Sequence, residues 1–349
     1  MATLSEVLSS RTREAALVEP LDNGWVRCVA CGHACRIPEG ALGVCKVRFN
    51  RGGHLYAPWG YVAGAACDPI EKKPFFHAWP GSAAYSFGML GCDLHCSYCQ
   101  NWITSQAIRD PAAVSPPSDT TPGTLVRDAL RRRARVLVST YNEPLITAEW
   151  AHAVFTDARA AGLATGFVSN GHATPQAIAY LAPVIDLFKI DLKSFRDREY
   201  RKLGGRLQPV LDTIREVHGR GIWVELVTLL VPGLNDSAEE LRDLTEFVAG
   251  VSPDVPWHVT AFHGDYQMAG TRDTTVHDLA RAADIGRSAG LRFVYAGNMP
   301  GRVAGLENTY CPGCGELLVE RSGFRIGVCR LGSSGTCPAC DLAIPGRWS

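Results

Sequence analysis

The stretch GCDLHCSYCQNW, residues 91–102, decides how the rest of the chain is read. Its cysteines, Cys92, Cys96 and Cys99, follow the spacing CxxxCxxC. Three thiolates on one short loop can hold three irons of a 4Fe–4S cubane and leave the fourth iron open to a ligand from outside the chain. Ferredoxin-type runs supply four cysteines per cluster and leave no such place. A structural zinc site is the plain alternative, but zinc sites favour paired CxxC knuckles and four ligands. Directly before the loop lies AAYSFG (83–88), a strand-like run, so the thiols sit where a strand ends.

Further strand-like runs follow: RVLVST (135–140), TGFVSN (165–170), DLFKIDLK (186–193), IWVELVTLL (222–230), WHVTAF (257–262) and RFVYAG (292–297). Their apolar, β-branched character suits strands buried on both faces of a parallel sheet. Helical patterns at about 148–161, 174–181, 208–219, 237–249 and 275–289 separate them. Caps such as Thr174-Pro175 and Ser237 open some, and Gly162, Gly221, Gly250 and Gly290 close others. Repeated βα units predict an α/β fold, a full or partial (β/α) barrel, with the chemistry at the C-terminal ends of the strands. Three regions result: a cysteine-containing region over 1–81, the barrel over 82–300, and a small tail over 301–349. The Pro-, Ser- and Thr-rich segment Arg109–Thr124 reads as a flexible loop.

Charge and composition narrow the function classes. The 35 basic and 35 acidic residues cancel, so the chain has no broad electrostatic reason to seek nucleic acid or an anionic membrane. The basic run Arg131–Arg135 reads as a solvated helix end. With no run of 18 apolar residues, no transmembrane helix is expected. The opening residues lack the pattern of a secretory signal, which predicts a cytoplasmic protein. No GxxxxGK phosphate loop is present.

Thirteen cysteines, closely spaced and odd in number, argue for metal in a reducing compartment rather than a disulfide scaffold. Cys311, Cys314, Cys337 and Cys340 form two CxxC knuckles of the zinc-ribbon or rubredoxin kind, holding zinc or iron. Cys28, Cys31, Cys35 and Cys45 form a second four-thiolate set, open to zinc or to an auxiliary iron–sulfur cluster. Cys67 and Cys329 read as buried, apolar-like residues.

The chain resembles radical S-adenosylmethionine (SAM) enzymes related to pyruvate formate-lyase activating enzyme, and more closely the branch described as the AmmeMemoRadiSam system. The carriers are CxxCxxxC with GVCKVR (28–48), DPIEKKPFFHAWPG (68–81), GCDLHCSYCQNW, TYNEP (140–144), SNG (169–171), KIDLKSF (189–195), TLLVPGLND (228–236), FHGDYQM (262–268), VYAGNMPG (294–301) and the terminal CPGC and CPAC. They span nearly the whole chain. The resemblance implies a partial barrel and a 4Fe–4S cluster on Cys92, Cys96 and Cys99 whose open iron takes SAM. It also implies reductive cleavage of SAM to a 5′-deoxyadenosyl radical, an electron donor of the flavodoxin or ferredoxin kind, and an unidentified small-molecule or protein substrate.

Residue by residue, the resemblance places Tyr141, Asn142 and Glu143 where the family has Gly-Gly-Glu, with Glu143 toward the methionyl amine. The Tyr-Asn departure leaves the backbone contacts at that edge open. Asp191 and Lys193 match the family's Asp-Leu-Lys, His263 matches a histidine near the ribose, and Tyr98 matches the aromatic position near adenine. Taken alone, Asp191 and Lys193 also read as a structural ion pair, and His263 as a core histidine. Two other functions stay open at this point: installing a glycyl radical on a partner protein, and non-catalytic binding through the zinc ribbon.

Overall fold

The computed structural model describes residues 4–303 and 305–349. Eight strands form one sheet in simple sequence order: β1 (Gly64–Pro69), β2 (Ala83–Gly88), β3 (Val136–Ser139), β4 (Ala164–Ser169), β5 (Leu187–Asp191), β6 (Trp223–Leu230), β7 (Trp257–Ala261) and β8 (Val294–Gly297). β2 to β8 run parallel, and β1 pairs antiparallel with β2. The edge strands β1 and β8 do not pair with each other, so the fold is a partial barrel.

Each parallel crossover carries a helix: α1 (Pro122–Arg131), α2 (Ala148–Ala160), α3 (Pro175–Leu181), α4 (Leu207–Gly219), α5 (Ala238–Val251) and α6 (Val276–Ser288). The caps read from sequence are present. Thr174 Oγ1 accepts the Ala177 N–H, and Ser237 Oγ accepts the Glu240 N–H; each such cap contributes about 1 kcal/mol. The helix α1 is not among the five helical patterns given above, although the helix-end reading of Arg131–Arg135 requires one there. Its Thr121 cap and Pro122 fall at the end of the segment read as a flexible loop, which also pairs Ser118–Asp119 with Tyr61–Val62. Arg131, Arg132 and Arg133 are exposed, as the solvated-end reading expects.

Apolar side chains pack on both faces of this sheet. The helices bury Leu125, Trp150, Phe155, Ile178, Ile214 and Leu244 against the outside of the sheet. Inside the barrel, Ile70, Phe75 and Ala78 pack on Ala84, Val136, Val138 and Leu187. The motif DPIEKKPFFHAWPG is therefore a plug for the end of the barrel where the strands begin. The main sheet starts at Gly64, inside the region assigned to 1–81. Ahead of it, two three-stranded antiparallel sheets carry the first cysteine group.

The tail closes the same end. Its three strands, Thr309–Tyr310, Leu317–Ser322 and Arg325–Cys329, bring Leu318 and Val319 against Phe76, Phe293 and Tyr295. Arg321 is buried and donates to Phe76 O at 2.7 Å and Thr309 Oγ1 at 2.8 Å. His77 Nδ1 meets Pro345 O at 2.7 Å. Burial drives the pKa of His77 down to about 4, which keeps the ring neutral at this seam.

Candidate functional site

The loop after β2 carries the three thiols to the C-terminal end of the barrel, as the sequence predicts. Its ends are tied to the loop after β3: Asn142 Oδ1 accepts the Met89 N–H at 3.0 Å, and the Glu143 N–H reaches Gly91 O at 3.3 Å. Gly88 makes this approach possible, since a Cβ there would meet Thr140 O at 2.4 Å. Tyr141 sits at φ 73°, a costly conformation for a side-chain-bearing residue and one that fits a position where the family has glycine. Arg109 clamps the loop from outside, donating to Cys92 O at 2.8 Å and Val44 O at 2.6 Å.

The thiol chemistry fits a metal. Burial, then the charges of Asp93 and Glu143, push the Cys92 thiol well above its ordinary pKa. Burial raises Cys96 to about 12 although Lys193 opposes it. Thiols in such a place stay protonated unless a metal takes the proton's position. The Leu94 N–H donates to Cys92 Sγ at 3.3 Å, and Ser105 Oγ lies 3.1 Å from Cys99 Sγ. Cys92, Cys96 and Cys99 are not drawn to within 4.8 Å of one another, a spread suited to three thiolates on three different irons.

The other strand ends converge on this loop. Burial lowers the pKa of Lys193, after β5, but the charge of Asp191, then those of Cys96 and Tyr98, outweigh it and hold the ammonium well above its ordinary value. Asp191 is bracketed by two lysines: Lys189 contacts Oδ1, and Lys193 Nζ stands 3.4 Å from Oδ2. Burial raises the Asp191 pKa, but the two lysines outweigh it and hold the carboxyl below its ordinary value. The ion-pair reading is thus realised, and the pair still borders the mouth, with 30% of the Asp191 side chain exposed. Tyr98 is buried among Leu94, Leu203, Val231 and Phe262, so its ring forms part of an apolar wall. His263 is exposed just past β7, which excludes the core-histidine reading. The loop carrying it packs on the thiol loop: the Gln267 N–H reaches Ser97 O at 3.1 Å, and Tyr266 stacks on Trp102 with centroids 5.1 Å apart.

Glu143 differs most from its sequence reading. Its carboxylate is 2% exposed and already accepts Ser169 Oγ at 2.6 Å, Asn170 N at 2.7 Å and Leu145 N at 3.0 Å. Burial, helped by the charge of Asp93, raises its pKa to about 8 against those three donors. It fixes the SNG turn, where Gly171 has φ 71° and a Cβ would meet Ile190 Cγ2 at 2.5 Å. Sequence reasoning missed Asp93, which sits inside the cysteine motif, and His172, one residue beyond SNG. Asp93 accepts Asn170 Nδ2 at 2.7 Å and pairs with His172 Nδ1 at 3.0 Å, all fully buried.

The remaining cysteines divide. Cys311 Sγ and Cys340 Sγ are 3.6 Å apart, as are Cys314 Sγ and Cys337 Sγ, and all four lie within 4.8 Å of one another. Metal–sulfur bonds of about 2.3 Å in a tetrahedron put sulfurs about 3.8 Å apart, so this set fits one four-thiolate ion. Cys28, Cys31, Cys35 and Cys45 share one neighbourhood without closing so tightly. Cys329 is exposed and Cys67 half-buried, which corrects the buried reading of both. Cys67 lies on the edge strand β1, and Cys329 ends the outermost tail strand.

The fold and this mouth define a class: a partial α/β barrel carrying a three-thiol loop at the C-terminal end of its parallel strands. The model of the radical SAM superfamily matches residues 88–248. A relative from Methanocaldococcus jannaschii, the uncharacterized protein MJ0808, is 36% identical over 335 residues, covering 95% of this chain and 98% of its own. The chain belongs to one family with that archaeal relative, and its residues 88–248 carry the radical SAM match. Two solved structures are also similar. A domain of pyruvate-formate lyase-activating enzyme from Bacteroides vulgatus has 18% identity and a TM-score of 0.41, over 46% of this chain and 98% of that one. A radical SAM methyltransferase from Sphaerobacter thermophilus has 15% identity and a TM-score of 0.49, over 88% and 81%. Among the described residues no helix is long and apolar enough to cross a membrane.

Proposed function

We propose that the chain is a SAM-cleaving enzyme whose Cys92, Cys96 and Cys99 hold a 4Fe–4S cluster, with SAM bound across the ends of β3, β5 and β7. The observation that carries this reading is the three-thiol loop at the C-terminal end of the first parallel strand, faced by Lys193 and by the His263 loop. When bound, the cluster supplies the electron that splits SAM into methionine and a 5′-deoxyadenosyl radical. The chain's own residues bind, orient and exclude water.

SAM carries an ammonium and a sulfonium; the Asp191 carboxylate is partly exposed to the mouth, whereas those of Asp93 and Glu143 are buried behind it. Asp191 is the acceptor best placed for a cationic group, because the Glu143 oxygens are taken up by the SNG turn. Asn142 and Glu143 act through the backbone edge that they hold against Met89 and Gly91. Lys193 complements the methionyl carboxylate, and His263 faces the ribose. Tyr98, Phe262 and Met268 form the apolar side against adenine. A cleft of about 310 Å³, lined by Gly64, Ala66, Asn101, Ile103, Thr104 and Tyr141, flanks the thiol loop and gives a substrate a route to it. An external one-electron donor of the flavodoxin or ferredoxin kind completes the system, and the tail knuckles hold zinc or iron at the far end.

The test is reductive cleavage of SAM to 5′-deoxyadenosine by anaerobically reconstituted protein, compared with Asp191→Ala at equal iron loading. A hydrogen bond to a charged group contributes about 1.5–3 kcal/mol, so the variant needs roughly tenfold more SAM or beyond. An unchanged concentration dependence assigns Asp191 to the ion pair alone. Absence of 5′-deoxyadenosine from the wild type refutes the proposal.

A further inference from the structure

The N-terminal thiols are the largest group of chemistry-bearing residues that the reading above leaves without a stated group. We infer that Cys28, Cys31, Cys35 and Cys45 hold a second iron–sulfur cluster, beside the catalytic loop but separate from it. The inference goes beyond the proposed function and does not depend on which substrate the enzyme takes.

Each sulfur is met by a donor. The His33 N–H faces Cys31, the Val44 N–H faces Cys35, and the N–H groups of Val47 and Arg48 face Cys45. The Arg48 guanidinium, 1% exposed, brings Nη1 to 3.8 Å from Cys28 Sγ. Such donors stabilise thiolates, and thiolates are what a metal binds. Cys28, Cys31 and Cys45 are buried and Cys35 is half-buried.

Spacing selects the kind of metal group. Among the described residues, the tail thiols alone form an all-cysteine set within 4.8 Å, the geometry of a single tetrahedral ion. No three of the N-terminal sulfurs come within that distance of one another. In this they match Cys92, Cys96 and Cys99. In a cubane each thiolate binds a different iron, so the sulfurs stand wider apart than around one zinc.

Position supports the assignment. The loop after Cys28 docks directly on the catalytic end of the barrel: the Gly32 N–H donates to His172 O at 2.7 Å, and Cys31 pairs with Ala173 in an isolated bridge. Asp93 lies between the two thiol sets. Its Oδ1 stands 3.8 Å from Cys92 Sγ, and a carboxylate oxygen lies within 4.8 Å of Cys31 Sγ. The trio Cys31, Asp93 and His172 is the competing site, able to hold one ion without the other three cysteines.

The experiment measures iron, acid-labile sulfide and zinc in the full chain, reconstituted anaerobically, for wild type and for the variant with Cys92, Cys96 and Cys99 all changed to alanine. A second cluster predicts about eight irons in the wild type and about four in the variant, with matching sulfide. The tail ion, still bound, reports that the variant is folded. A variant with Cys28, Cys35 and Cys45 all changed to alanine, the catalytic loop intact, should then lose about half the iron and keep a SAM-responsive reduced signal. A catalytic-loop variant with zinc and no iron overturns the inference while leaving the catalytic cluster intact. Unchanged metal content in the variant lacking Cys28, Cys35 and Cys45 overturns it in favour of the Cys31, Asp93, His172 site. If the wild type holds about four irons and the catalytic-loop variant keeps all of them, the catalytic assignment fails instead.

Discussion

Arg48→Met destabilises the protein by about 3–5 kcal/mol, the cost of leaving a buried charge without its partner. Arg48 joins the N-terminal region to the barrel: Nη2 contacts the Glu149 carboxylate of α2, and Nε donates to Ile146 O at 2.8 Å. Glu149 is itself buried, and its other oxygen accepts the Leu17 N–H at 3.1 Å. Methionine fills the space but leaves Glu149 and the Ile146 carbonyl without their cation. Total stability of such a domain is about 5–15 kcal/mol, so the loss is a large fraction of it. Denaturant unfolding of Arg48→Met, Glu149→Leu and the double variant measures it. The double variant should recover much of the loss, because replacing a whole buried pair is far less costly than breaking it. Additive losses would show that the two residues act separately.

Glu225→Leu has an effect of similar size at the opposite end of the barrel. This carboxylate is fully buried and accepts four donors: Phe76 N at 2.9 Å, His77 N at 2.8 Å, Trp223 Nε1 at 3.0 Å and His258 Nε2 at 2.7 Å. Burial raises its pKa, but the hydrogen bond and charge of His258 outweigh that and keep it below its ordinary value. It holds the plug segment in the barrel, and the plug in turn seats the tail through His77 and Arg321. Leucine leaves four buried donors unmatched at about 1–3 kcal/mol each, of which relaxation and water recover part. The expected loss is at least about 4 kcal/mol, with release of the tail metal in the same transition. A urea midpoint within experimental error of the wild type would show that the plug does not depend on this residue.

The barrel was legible because parallel strands buried on both faces announce themselves as short apolar, β-branched runs, and their helices carry Thr and Ser caps. The three-thiol loop was legible because its spacing is a local pattern. What escaped was set by distance along the chain. Glu143 meets Ser169 and Asn170, and nothing in TYNEP reveals that its carboxylate is occupied. Asp93 is a variable-looking position inside the cysteine motif until His172 is seen beside it. DPIEKKPFFHAWPG stood out as a motif, yet its work as a plug depends on Glu225 and Arg321, far along the chain. The knuckles revealed the tail's metal set but not its seat, which the structure builds on Phe76, His77 and Tyr295. Cys329 looked like a buried residue because an unpaired cysteine usually is one, and here the edge of the tail exposes it.

The central claim is that Cys92, Cys96 and Cys99 bind the cluster that meets SAM. The direct measurement is the electron paramagnetic resonance spectrum of dithionite-reduced protein, with and without SAM, for the wild type and for the variant carrying alanine at all three positions. The account predicts that SAM changes the spectrum of the wild type and leaves that of the variant unaltered. A variant that kept the SAM-dependent change would contradict it.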